Sequence, residues 1–190
     1  MHADSRKGIQ PDSENGRIMS LFSSLPIDWS PFTICPPGEK APYLRALSTP
    51  EGLGDRLRFV AFAEKQAVHA FAAAAVLYPD APSKAKELWL ALSKEEEKHF
   101  ELLLARMNEI GVSASARPQS LALWNSFDQC KTAREFAKFM ASAEDWGRSS
   151  GEKFHQTLLK IDPDTASLFK KIAEEEKDHI HLASQVLDLL

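Results

Sequence analysis

Residues 93–102 read SKEEEKHFEL and residues 173–182 read AEEEKDHIHL, and sliding the second run back onto the first lays Glu176 on Glu96 and His179 on His99. Either run by itself reads as a solvated helix face, because mixed Glu and Lys usually look toward water. A wet surface has no reason to repeat itself in register. The same shift lays FMASAE (139–144) on FVAFAE (59–64), so Glu144 falls on Glu64, and in both halves the same interval separates that Glu from the Glu of the Glu-x-x-His pair. The chain therefore reads as two copies of one supersecondary unit.

Each unit is a pair of helices. Downstream of STPEG (48–52) the sequence is rich in Ala, Glu and Lys, with apolar residues at three and four spacing, the signature of amphipathic helix. Turn chemistry cuts it into four stretches. The first runs from about Asp55 to Leu77 and stops at YPDAP; the second runs from near Pro82 to Gly111, a helix-terminating glycine. The third runs from about Thr132 to Lys160, and Asp162 with Pro163 supplies an N-cap and first-turn proline for the fourth, which reaches almost to Leu190. Residues 112–130 form a long connection in which LALWNSF has the pattern of a short helix. No segment alternates like a strand. The expected fold is all-α: a four-helix bundle of two helix pairs joined by a long crossover. Residues 1–50 carry seven of the eleven prolines and no sustained helical period. They read as an irregular N-terminal tail, partly disordered, whose Trp29 and Phe32 drape over the bundle of residues 51–190.

Residues three apart on a helix share one face, so a carboxylate and an imidazole at that spacing can grip one metal ion or two adjacent ones. Two such pairs plus one Glu from each remaining helix make four carboxylates and two histidines: Glu64, Glu96, His99, Glu144, Glu176 and His179. That set matches the di-iron and di-manganese carboxylate bundles, and oxygen and imidazole donors without thiolate suit Fe or Mn. With the first turn centred near Asp80, Glu64 and Glu96 lie equally far to either side and reach the same height. The second pair is less clean, because GEKFH adds a third Glu-x-x-His, Glu152 and His155. With the turn near Asp162, Glu144 lies farther from it than Glu176 does, and Glu152 lies nearer. Either misses by about one helical turn, roughly 6 Å at the usual rise. The repeat favours Glu144, with a bulge at Gly147 or Gly151 to correct the register, and Glu152 stays open as the alternative or an addition.

Bulk properties narrow the function. The 190 residues carry a formal net charge of -4, which offers no electrostatic footprint for nucleic acid. Cys35 and Cys130 form no CxxC and no disulfide framework, and the N-terminal MHADSRKGIQPDSENGRIMSLF has charges where a secretion signal would be apolar. No uncharged run of membrane-spanning length stands out, so a cytoplasmic protein without a membrane partner is expected.

The motifs TPEG, EKQAVHAFAAAAVLYPDAP, EEEKHF, EDWG and EEEKDHI together resemble the ferritin-like superfamily, and within it an uncharacterised bacterial family of ferritin-like domain proteins, over roughly Ser48 to Leu187. The resemblance implies a ferritin-like bundle with Glu64, Glu96, His99, Glu144, Glu176 and His179 at the metal. A more distant similarity, through AEKQA and SGEKF, is to the di-iron tRNA hydroxylase acting on 2-methylthio-isopentenyl-adenosine. In helix three that relative usually has Cys before the Glu, whereas Gly151 stands here, with Ala63 before Glu64, and it would favour Glu152 as the helix-three ligand.

The expected function is a non-haem di-iron (or Mn/Fe) carboxylate oxidoreductase, an oxygenase or oxidase that activates dioxygen to hydroxylate or oxidise an organic substrate. A tRNA-hydroxylase-like monooxygenase is the specific form the distant resemblance implies. Two Fe ions (or Mn/Fe), dioxygen, a small-molecule or modified-nucleoside substrate, an electron-donor protein and a homodimeric state complete the expectation. The alternative is a ferroxidase or peroxide-handling iron protein without organic substrate. A helical interaction protein is the third reading, and it must bury four carboxylates with few cations nearby. Among neighbouring residues, Glu95, Glu97, Glu174 and Glu175 read as solvated, or as orienting a ligand histidine. His69 and His181 turn away from the ligand face, and Trp89, Trp146, Phe62, Phe71 and Phe100 read as core.

Overall fold

Thr49 opens the helical part of the chain: its side chain accepts from the Gly52 amide, and Pro50 sits at the first helical position, where no amide is needed. Helix α1 therefore spans Pro50–Leu77 and starts earlier than the expected Asp55, because TPEG is the cap and not a loop before it. Gly52 is required there, since a Cβ would lie 1.8 Å from the Ala46 carbonyl oxygen. Helix α2 spans Ser83–Glu109. Gly111, at φ +69, turns the chain out of it in a conformation that favours glycine. A computed structural model describes residues 21–190; the first part of the expected disordered tail, residues 1–20, lies outside the described residues.

Between the hairpins run a 3-10 turn at Ala114–Ala116, the short helix α3 (Ala122–Ser126) within LALWNSF, and a second 3-10 turn at Phe127–Gln129. Helix α4 (Ala133–Leu158) starts with a capping box of Thr132 and Glu135. Helix α5 (Pro163–Leu189) starts with Asp162 accepting from the Thr165 amide. Arg106, near the end of α2, donates to both Asp162 carboxylate oxygens at 2.8 and 3.0 Å and to Thr165 Oγ1 at 2.8 Å, which ties the end of the first hairpin to the beginning of α5. The fold is all-helical: α1 packs on α2, α4 on α5, and α2 meets α5 between the pairs. No strand is present among the described residues; one bridge joins Ile34 to Gln119.

Two apolar clusters fill the ends of the helical body. One gathers Phe71, Trp89, Trp124, Phe127 and Phe136; the other gathers Leu57, Phe62, Leu103, Met107 and Phe169. Residues 21–49 strap across both. Phe22 is fully buried and stacks on Phe136 at 5.4 Å, while the Phe22 and Ser23 amides donate to Asp128 Oδ1 at 2.7 and 3.2 Å. Trp29 packs edge-on against Phe62 and Trp124, and Phe32 against Phe62, so both aromatics lie on the bundle. Trp146 departs from expectation: it is 63% exposed, because it borders an open gap between α1 and α4. Helix α1 also proves long and apolar enough, by length and composition, to pass for a membrane span, an outcome of its alanine content that the charges had masked. Its Leu57, Ala61, Phe62, Ala70 and Phe71 face is committed to the two clusters.

Candidate metal centre

The level between the two apolar clusters is set by helix register. Glu64 stands as far before the end of α1 as Glu96 stands after the start of α2, and Glu144 and Glu176 hold almost the same places in α4 and α5. All four acids come to one height. The mismatch expected for Glu144 disappears because residues 159–162 form the turn, which centres it before Asp162. Helix α4 runs unbroken through Gly147 and Gly151, so no bulge is involved. Glu152 is exposed and accepts from Arg148 Nη1 at 2.8 Å, on the outer face of α4, while Glu144 is buried. His155 is turned to the Ala166 carbonyl at 2.9 Å.

Glu96, His99, Glu176 and His179 are all buried, each with a donor atom within 4.8 Å of the others, and together they could hold a metal ion. His179 Nδ1 lies 2.7 Å from Glu96 Oε1, 3.4 Å from Glu176 Oε2 and 3.8 Å from Glu144 Oε2; His99 Nδ1 lies 3.3 Å from Glu176 Oε1 and 3.8 Å from Glu96 Oε2. Despite that proximity, Glu96 Oε1, Glu176 Oε2, His99 Nδ1 and His179 Nδ1 have no well-directed hydrogen-bond partner. Four buried polar atoms close together without a well-directed hydrogen bond are costly for a protein by itself, and a metal ion held among them would remove that cost. Glu64 and Glu144 complete the group, Glu64 against Glu96 and Glu144 against Glu176 and His179. On the far side of His99, Nε2 lies 3.0 Å from Glu175 Oε2 and donates to that carboxylate, so Nδ1 is the nitrogen that faces the cluster.

The electrostatics follow from crowding four acids around two imidazoles. Burial, then the nearby Glu96 charge, pushes the Glu64 and Glu144 carboxyls well above their ordinary range. Burial also opposes ionisation of Glu96 and Glu176, but the adjacent His179 and His99 outweigh it and hold both acids low. Burial alone would lower His99, yet the Glu176 and Glu96 carboxylates beside it carry it up to about 9, and His179 rises for the same reason. Without a cation, the site collects protons on Glu64, Glu144 and both histidines.

The carboxylate side opens on a cavity of about 150 Å³ between α1 and α4. Glu64, Glu96, Glu144 and Glu176 line one part of it; Phe59, Val60, Ala63, Met140, Gly147 and Phe154 are among the apolar remainder, and neither histidine reaches it. Glu64 is half-buried because it looks into this space. The sequence carries no signal for such a gap, since it depends on how far apart α1 and α4 stand. Of the other histidines, His69 packs edge-on to Trp29 at 5.4 Å and His181 is exposed beside Gln185, so neither approaches the cluster.

No curated protein and no solved structure matches this chain. A family model described as protein of unknown function (DUF455) matches residues 30–189, from the strap through both hairpins and all six inward acids and histidines, and the chain belongs to that family.

Proposed function

We propose that the protein is a ferritin-like four-helix-bundle oxidoreductase that binds two iron ions, or one Mn and one Fe, and uses dioxygen to hydroxylate or oxidise a small organic substrate. Glu64, Glu96 and His99 from the first hairpin and Glu144, Glu176 and His179 from the second would hold the ions. The carrying observation is the set of unpartnered buried donor atoms on Glu96, His99, Glu176 and His179. Their chemistry, oxygen and imidazole nitrogen without thiolate, suits Fe and Mn, and three buried acids and a half-buried one beside two histidines are expensive without a multivalent cation.

Bound metal would supply redox equivalents to dioxygen next to the substrate. The overall conversion is R–H plus O2, two electrons and two protons to R–OH and water, with both electrons drawn from an external electron-donor protein. The chain's own residues would do the rest: Glu175 fixes the His99 ring, the carboxylates balance the metal charge, and the apolar cavity walls exclude bulk water.

Ferroxidase or peroxide chemistry without organic substrate is the second reading. The apolar cavity on the carboxylate side favours the first, because inorganic ions gain nothing from walls of Phe, Val, Met and Ala. A tRNA-sized substrate has less support: no Lys or Arg lines the cavity, and the chain is acidic overall.

Anaerobic reconstitution with Fe(II), followed by metal analysis, should give two equivalents per chain, and under half an equivalent would end the metal reading. Glu96→Ala and His179→Ala should each abolish that stoichiometry. Dioxygen uptake then separates the two readings: consumption that needs an electron donor and a small organic co-substrate supports oxygenation, and consumption proportional to added Fe(II) alone supports ferroxidase.

A further inference from the structure

We infer that the cavity between α1 and α4 is a binding pocket for a small uncharged apolar group, an aromatic ring or a short branched alkyl, and that Gly147 keeps it open. That this group is what the metal centre oxidises rests on the function proposed above; that it binds does not. The volume of about 150 Å³ equals that of an engineered cavity that accepts benzene, so the space suits a group of about the size of one ring. Apart from the four acids and Ser150, its walls are apolar side chains and glycine. An anionic occupant would lose its hydration there with no cationic partner and four acids beside it, and the acids are engaged with one another and with the two histidines.

Two glycines on the same face of α4 show why the space is kept rather than left over. A Cβ on Gly151 would press on the Ala173 Cβ at 3.2 Å, so close packing against α5 accounts for that residue. A Cβ on Gly147 would meet nothing within 4 Å, although glycine in a helix interior weakens the helix relative to alanine. Packing against a neighbour does not account for Gly147. It lines the cavity, together with Ala63 and Ala67 from α1 and Ala143 from α4, so small residues border the gap on both sides. At the inner wall the buried acids Glu96 and Glu176 line the same space, so the cavity runs up to the metal-ligand cluster. At the outer wall, Phe59 is 39% exposed and Trp146 is 63% exposed. The two rings, from α1 and α4, stand where an entering aromatic or alkyl group would first make contact.

The test titrates the full chain, reconstituted with iron, with fluorobenzene by isothermal titration calorimetry, and measures metal content on the same samples. One site per chain is expected. Gly147→Leu should weaken binding at least tenfold while metal content and far-UV helicity stay unchanged, and Gly147→Ala should weaken it less. Should Gly147→Leu fail to fold, Ala63→Leu fills the space from the opposite wall and should produce the same loss. Metal-loaded protein that binds no fluorobenzene, or a folded Leu variant that binds it as tightly as the parent, overturns the pocket. Protein that binds fluorobenzene but no iron keeps the pocket and overturns the metal reading instead.

Discussion

Two buried ionic clusters in this molecule are built on opposite plans. Near the start of α1, Asp55 takes hydrogen bonds from the Arg45 amide at 3.0 Å, from Arg45 Nη2 at 2.7 Å, from Arg58 Nη1 at 3.2 Å and from Arg117. Further donors of these arginines find the backbone carbonyls of Ser113, Tyr43 and Glu51. One acid meets three guanidiniums, and the protein finishes the cluster with its own atoms. In the middle of the helical body, four acids meet two histidines, and four of their buried atoms lack a well-directed hydrogen bond. The first cluster fastens the strap and the crossover to α1. The second balances its charge only by taking up protons, and the buried atoms it leaves without a well-directed hydrogen bond are what a metal ion could hold.

The sharpest way to break this contrast is to remove an acid from each. Asp55→Asn should cost about 3 kcal/mol, the usual penalty for breaking a buried pair. Chemical denaturation would read it, with metal content unchanged. In metal-free protein, Glu144→Gln should do the reverse and stabilise by about 1 kcal/mol, because it removes a buried acid that resists ionisation; a loss comparable to that of Asp55→Asn would mean the two clusters are alike after all.

Glu175→Gln tests how the second cluster is supported. It should lower metal affinity by about 10- to 100-fold, the usual cost of losing a partner behind a ligand histidine, read by competition with a chelator; unchanged affinity would make the 3.0 Å contact to His99 incidental.

Acidity sharpens the comparison further. Arg45 first, then Arg117, hold Asp55 well below the usual carboxylate range, so its contribution is present above the unfolded value and lost as pH falls through the folded one. His99 is raised from 6.5 to about 9, so its contribution in metal-free protein is present below 6.5 and lost as pH rises toward 9. His179, Glu64 and Glu144, all raised, act in the same direction; Glu96 and Glu176, held low, act oppositely but only in the acid range. Metal-free protein should therefore lose thermal stability between pH 6.5 and 9, and metal, by replacing the protons, should flatten that slope. A slope that is the same with and without metal would contradict the assignment.

The smallest effect belongs to Glu152. Its exposed pair with Arg148 contributes little, so Glu152→Ala should leave stability and metal stoichiometry intact, and a loss of metal would reopen its claim as a ligand.

Glu152 also shows where reading the sequence stops. The two halves, the helix pairs and the acid and histidine types were all legible, because they depend on residues three and four apart and on caps such as Thr132 with Glu135. The choice between Glu144 and Glu152 was not, since it turns on whether the loop centres on Asp162 or within residues 159–162, a small shift that no periodicity records. Trp146 read as core for a similar reason: a large aromatic on an amphipathic helix is usually buried, and only the gap between α1 and α4 leaves it in the open.

The sequence by itself determined the helices, their pairing within each half and the chemical kind of the donors, because those are local properties of the chain. Only the tertiary structure decided the rest. It brought Arg117 of the crossover onto Asp55 beside Arg45 of the strap and the helical neighbour Arg58, set Phe22 of the strap into the core, and left α1 and α4 far enough apart for a cavity. Each of these depends on distances between elements, which follow from how side chains fill space across helices and not from the order of residues along any one of them.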